Sequence, residues 1–193
     1  MTGNHILDEL KAANAVRQSY PELPIVWGGW HPTLEPDQTL ESSDVDIVVR
    51  GLGETTFTEL VHALEEGKPL DGILGISYKK NGKIIHNPER PLEDINSFPP
   101  LPLHLIDIDK CVYNTEYSSR TVNYFASYGC PFRCDFCEVQ VELRRRWLIK
   151  DPVKIVDEIE TFVKNYHVNG FALHDNEFLI YRAHTRKFCE EIL

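Results

Sequence analysis

The sequence predicts an α/β protein of two modules, on three observations. Between residues 24 and 66, short apolar runs end in glycine turns and lead into stretches with helical periodicity. From 121 to 192 a second succession reads β-loop-α-β-loop-α. Between the two lies a segment holding Pro88, Pro91, Pro99, Pro100 and Pro102. Strand, glycine turn, helix is the grammar of a parallel sheet with helices packed on its faces. The expected division is 1–70 for the first module, 71–110 for a hairpin and linker, and 111–193 for the second.

Taken in order, residues 2–20 read as a helix with Ile6, Leu10, Ala13 and Val16 near one face, stopped by Pro21 and Pro24. Pro24–Trp27 is a short strand running into Gly28-Gly29, and Val45–Val49 a second running into Gly51-Leu52-Gly53-Glu54. A helix follows with Phe57, Leu60, Val61 and Leu64 on one face and Gly67 as its stop. Ile73–Lys79 and Lys83–Asn87 are β-rich and meet at Asn81-Gly82, the pair that a type I′ hairpin turn prefers. Thr121–Ser127 is the first strand of the second module and leads into a cysteine-bearing loop. Asp151-Pro152 starts a helix, as an N-cap with proline at the first helical position. Val156, Ile159, Val163 and Tyr166 are its expected buried stripe, and Asn169-Gly170 its end. Phe171–Leu173 is the next strand, running into His174-Asp175-Asn176. A last helix from about Arg182 is expected to turn Phe188, Ile192 and Cys189 inward.

The composition excludes several classes. The chain has 193 residues, 42% apolar and 26% charged, which is the balance of a folded globular protein. No apolar run approaches the ~20 residues of a membrane span, and no basic start with an apolar block marks a signal peptide. The net charge is −10, carried mostly by residues 1–100 with 8 basic against 16 acidic side chains. A binder of nucleic-acid backbone is ordinarily basic, so no nucleic-acid partner is expected. Five cysteines without an export signal point to a reducing, cytoplasmic setting.

Three of the cysteines, Cys130, Cys134 and Cys137, fall in GCPFRCDFC at C-x3-C-x2-C spacing. Thiolates so close can converge on one centre, and as soft ligands they suit iron–sulfur clusters and zinc. A structural zinc site and unrelated core cysteines remain open readings here. Structural zinc takes four closed ligands, commonly in C-x2-C pairs, and no fourth cysteine is near.

On these residues the chain resembles the radical S-adenosylmethionine (SAM) superfamily, with Cys130, Cys134, Phe136 and Cys137 matching its motif one by one. The resemblance implies a 4Fe–4S cluster held by three thiolates. The fourth iron is left to chelate SAM, whose reductive cleavage yields a 5′-deoxyadenosyl radical. It implies that Phe136 lies near the adenine; core packing is the plainer role for such a ring. The stretch RRRWLIKDPVKIVDEIETFVKNYHVNGFALHDNEF resembles the cobalamin-binding branch of the superfamily, with Asp175, Asn176 and Phe178 matching its ending. Asp175 is then a candidate SAM contact, or else a cap for the next helix. Arg144, Arg145 and Arg146 are candidates to pair with an anionic group, or a solvated charge run.

IVWGGWHPT and VVRGLGETTF resemble the second half of the Rossmann-like cobalamin-binding domain of that branch. Gly28, Gly29, His31, Gly51, Gly53 and Glu54 are the implied cobalamin-facing residues, since glycine lets backbone approach a ligand. The D-x-H-x-x-G motif of members that ligate cobalamin through histidine is absent from the sequence. The fold class expected is therefore the C-terminal part of a Rossmann-like cobalamin-binding domain followed by the start of a radical SAM (βα) partial barrel. The chain reads as a central fragment of a longer enzyme. Its expected cofactors are a 4Fe–4S cluster, SAM and cobalamin. The expected partners are a small-molecule substrate and a reductant such as flavodoxin or ferredoxin. The rival readings are a non-catalytic iron–sulfur or zinc module, and a radical SAM protein whose cobalamin domain is vestigial.

Overall fold

The computed structural model describes residues 4–137, 139, 143 and 146–193. The chain divides into two compact units, Met1–Leu92 and Glu93–Leu193.

The first unit is a three-layer α/β/α arrangement around a four-stranded sheet. Its elements are α1 (Asn4–Ser19), β1 (Val26–Gly28), α2 (Trp30–Leu34), α3 (Pro36–Glu41), β2 (Ile47–Val49), α4 (Glu54–Glu65), β3 (Ile76–Lys80) and β4 (Lys83–His86). The sheet order is β1-β2-β3-β4. β1 and β2 run parallel, with Val26 opposite Ile47, and β3 then pairs antiparallel with β2. All three residues of β2 are buried, as a central strand covered on both faces requires. Ile47 and Val49 point to a cluster with Leu60, Ala63 and Ile76. Val48 points the other way, to Ala13, Trp27, Leu40 and Val45, with Ile6 and Leu10 of α1 packed against them.

Three sequence expectations change here. The hairpin turn does form at Asn81-Gly82, both at positive φ, but the hairpin extends the first sheet through β2 instead of serving as a connector. Val16 is exposed. Phe57 is half exposed at 50%, and the buried positions of α4 are Thr56, Leu60 and Ala63.

The second unit contains β5 (Thr121–Tyr124), β6 (Ser127–Gly129), β7 (Trp147–Ile149), α5 (Pro152–Tyr166), β8 (Gly170–Leu173) and α6 (Arg182–Ile192), preceded by three short 3-10 turns. β5 and β8 are parallel neighbours, with Thr121 opposite Gly170. The α5 helix lies between them in sequence, so β5-α5-β8 is the β-α-β step that the sequence predicts. The expected single strand Thr121–Ser127 is in fact two. After Tyr124 the chain leaves the parallel pair, and β6 pairs antiparallel with β7, Ser127 opposite Ile149 and Gly129 opposite Trp147.

The Asp151 side chain caps α5, accepting from the Val153 amide at 2.9 Å. The buried side of α5 is Ile155, Glu158, Ile159 and Phe162, about one residue round from the expected stripe, and Val163 is exposed. The helix ends at His167, whose φ of 55° is left-handed, rather than at Asn169-Gly170. In α6 no residue is fully buried, and Cys189 and Ile192 are exposed. Only Phe188 packs against the core.

The proline-rich segment is largely absorbed into the two units. Gly75 donates its amide to the Pro88 carbonyl at 2.8 Å, and Arg90 Nε donates to Thr56 Oγ1 at 2.7 Å. Farther on, Asn96 Oδ1 accepts from the Asp151 amide at 2.7 Å, and Lys154 Nζ donates to the Phe98 carbonyl at 2.7 Å. Leu103 and Ile108 are buried with Val122, Tyr124, Ile155 and Phe162.

Candidate functional site

In the first unit a cleft of about 400 Å³ opens at the C-terminal ends of β1 and β2, with Gly28, Gly29, Gly51, Gly53 and Glu54 on its walls. The remaining walls are Val26, Trp27, Val49, Leu52 and Phe57. The crevice beyond the carboxyl ends of parallel strands is where open α/β sheets hold ligands. Gly29 shows why the sequence places glycine there: its φ of 90° and ψ of −163° are open only to a residue without a side chain. The Gly51 turn, φ 72°, is fastened from beneath by its amide donating to Thr33 Oγ1 at 3.0 Å. Thus five of the six residues expected to face a ligand come together. His31 does not join them; it sits half-buried on α2, outside the cleft lining. Phe57 explains its exposure by lining the cleft.

In the second unit the cysteine loop hangs from the β6–β7 hairpin. Gly129 ends β6 at φ 79°, and a Cβ on it would lie 2.2 Å from the Arg146 carbonyl oxygen and 2.8 Å from Leu143 Cδ1. The returning chain therefore passes directly over Gly129, and Cys130 leaves from that point. Cys130 and Cys137 are half-buried and Cys134 is exposed; none is in a disulfide. The Cys137 amide donates to the Cys134 carbonyl at 3.0 Å, forming one turn. Phe136 is 94% exposed. Among the described residues no three His, Cys, Asp or Glu side chains are gathered tightly enough to hold a metal ion. The donor set nevertheless fits a cluster with three protein thiolates and one open iron: three soft ligands on one short stretch of sequence that carries no fourth cysteine. Binding such a group and gathering the thiols would be one event. Cys111 and Cys189 are exposed and lie outside the loop. Arg144 and Arg145 lie outside the described residues, and Arg146 is exposed.

Asp175 follows β8 and does not cap α6, whose N-cap is Tyr181. Its carboxylate accepts from Ser127 Oγ at 2.5 Å and from the Ala126 amide at 3.3 Å. Beside it, Phe125 and His174 face each other at 6.0 Å between ring centres.

Sequence reasoning missed a buried polar knot between β5, α5 and the end of β7. Glu158 Oε2 accepts from Lys150 Nζ and from Tyr124 Oη, each at 2.6 Å. Lys150 Nζ also lies 4.8 Å from the centre of the Tyr124 ring. The available signal was Glu158 itself, a carboxylate one position before Ile159 on the apolar side of a helix. Burial first, then the hydrogen bond to Glu158 and its charge, hold the Tyr124 phenol far above its ordinary value. The unfolded chain releases that proton near pH ~10 and the folded chain does not. Stability is then full below about pH 10 and falls as the pH rises above it. Denaturant midpoints measured at pH ~9 and ~11 should show this fall, and Tyr124→Phe should flatten it.

Residues 1–61 match the B12 binding domain family. An uncharacterized methyltransferase of Pyrococcus horikoshii is 33% identical over 184 residues, covering 93% of this chain and 39% of the relative. The anaerobic magnesium-protoporphyrin IX monomethyl ester cyclase of Rubrivivax gelatinosus is 36% identical over 179 residues, covering 90% of this chain and 32% of the relative. The chain thus spans about two-fifths or less of the length of these relatives. Among solved structures, the radical SAM methyltransferase TsrM of Kitasatospora setae, with cobalamin and a [4Fe-4S] cluster bound, superposes with a TM-score of 0.70 at 21% identity. That match covers 95% of this chain and 36% of TsrM.

Proposed function

We propose that the chain belongs to the cobalamin-binding-domain branch of the radical SAM superfamily and is part of an enzyme that binds a 4Fe–4S cluster, SAM and cobalamin. The observation that carries the proposal is the C-x3-C-x2-C loop suspended from the β6–β7 hairpin next to a parallel β-α-β step.

Cys130, Cys134 and Cys137 hold the cluster, which when bound supplies the electron for reductive cleavage of SAM. The protein's part is to gather the thiolates, leave one iron without a side-chain ligand, and keep Phe136 free to cover a flat ring. Asp175 stands at the strand ends where barrels place ligand contacts. In the first unit the glycine-floored cleft lined by Trp27, Leu52 and Phe57 would hold cobalamin. The reaction class is a methyl transfer or a ring closure on a small molecule, in line with the names of the relatives. A flavodoxin- or ferredoxin-type protein supplies electrons. No helix among the described residues is long and apolar enough to cross a membrane.

Anaerobic reconstitution tests the proposal. About four irons per chain are expected, with an electron paramagnetic resonance (EPR) signal that changes on adding SAM. Cys130→Ala, Cys134→Ala or Cys137→Ala should each abolish the brown absorbance, while Cys111→Ala and Cys189→Ala keep it. Stoichiometric zinc in place of iron would overturn the cluster reading. A cobalamin titration followed by absorbance checks the cleft separately.

A further inference from the structure

The β6–β7 hairpin is short, with three residue pairs in its ladder, yet it carries the whole cysteine loop. Both of its stems are tied to one segment, the residues after β8. On the outgoing stem, Asp175 accepts from Ser127 Oγ at 2.5 Å and from the Ala126 amide at 3.3 Å. On the returning stem, Trp147 Nε1 donates to the Glu177 carbonyl at 2.9 Å. The same indole stacks on Tyr181, with ring centres 5.2 Å apart and planes at 21°. Ser127 is buried and stands three residues before Cys130. A hydroxyl bonded to a carboxylate makes a short, directional contact, stronger than a neutral pair.

From this geometry we infer that residues 175–181 form a two-point clamp that sets the position of Cys130, with Asp175 acting through Ser127 and with Trp147 as the second tie. Asp175 and Trp147 are positioning residues. The inference deepens the proposed function and rests on the reading of the loop as a cluster site. A carboxylate has about four lone-pair directions, and the described residues use two of those of Asp175. Asp175 therefore retains capacity to accept from an ammonium group while it holds Ser127. Through that shared carboxylate, a ligand amine arriving at the strand ends would bear directly on the stem of the cysteine loop.

The test has two arms. In the metal-free protein, alkylation by iodoacetamide is followed cysteine by cysteine, with Cys111 and Cys189 as internal references. Ser127→Ala and Asp175→Asn should each speed labelling of Cys130 several-fold and leave the references unchanged. The double variant should label no faster than either single one, because both break the same contact. Trp147→Phe keeps an aromatic ring but loses the indole donor and part of the stack on Tyr181; it should act in the same direction. In the second arm, the anaerobically loaded Ser127→Ala protein should show a broadened EPR signal relative to the parent. An unchanged Cys130 rate in Ser127→Ala overturns the clamp, as does equal acceleration of all cysteines. A parent protein that takes up no iron overturns the cluster reading, and the labelling arm still decides the clamp.

Discussion

Gly129→Ala should abolish cluster assembly and strongly destabilise the second unit. Two penalties act together. The φ of 79° is left-handed, and a side chain held there costs about 1–3 kcal/mol. The added methyl would also stand 2.2 Å from the Arg146 carbonyl oxygen, a backbone atom that cannot rotate away. The β6–β7 ladder has to part at Gly129 and Trp147, the pair nearest the cysteine loop. A total of roughly 3–5 kcal/mol is expected, a large share of the ~5–15 kcal/mol that holds a domain together. Denaturant unfolding measures the loss, and iron content after anaerobic loading measures its consequence. A variant that unfolds at the parent midpoint and takes up full iron would show that the returning chain is free to move off Gly129.

Lys150→Met should cost about as much by a different route. The Lys150 and Glu158 side chains are each only 10% exposed. Removing the ammonium leaves a buried carboxylate with Tyr124 as its remaining hydrogen-bond donor. Breaking a buried pair from one side costs about 3–5 kcal/mol, whereas replacing both partners by apolar groups is often close to neutral. Lys150→Met combined with Glu158→Leu should therefore recover most of the loss. The backbone bonds of Lys150, to the Ala126 carbonyl and from the His184 ring, survive both changes. The four-corner comparison thus isolates the side-chain pair. Equal instability of the single and double variants would show instead that the lysine stem, not its charge, fills the site.

Elements set by local pattern were readable before any coordinates. Asn81-Gly82 demanded a particular turn, Asp151-Pro152 a helix start, and Gly28-Gly29 and Gly51-Leu52-Gly53 the ends of parallel strands. The cleft followed from the last two, because successive strand ends in a parallel sheet fall side by side. Harder to read was whatever depends on which neighbour covers a surface. The buried side of α5 is displaced by about a residue because the β5–β8 pair, not the hydrophobic stripe, selects it. Phe57 is apolar at a core-like spacing yet lines a cleft. The Ser127–Asp175 bond spans 48 residues, and nothing in the spacing of either residue announces it. The division of Thr121–Ser127 into two strands is equally silent: nothing in its run of Thr, Val, Tyr and Phe marks a break, and only the return of Trp147–Ile149 turns the second half into a hairpin.

The fastening of the proline-rich segment bears on how such proteins can be cut and recombined. Residues 88 and 90 are bonded into the first unit and residues 96 to 108 into the second, so the seam between exchangeable pieces is only a few residues wide, near Leu92. A gene fusion joined at residue 111, where the prolines end, would strip Leu103 and Ile108 from the second hydrophobic cluster, at about 1.5–3 kcal/mol for each buried side chain lost. A joint at 92/93 passes between the clusters and leaves the residues of each together, which makes it the crossover point at which a chimaera swapping either half keeps both interiors.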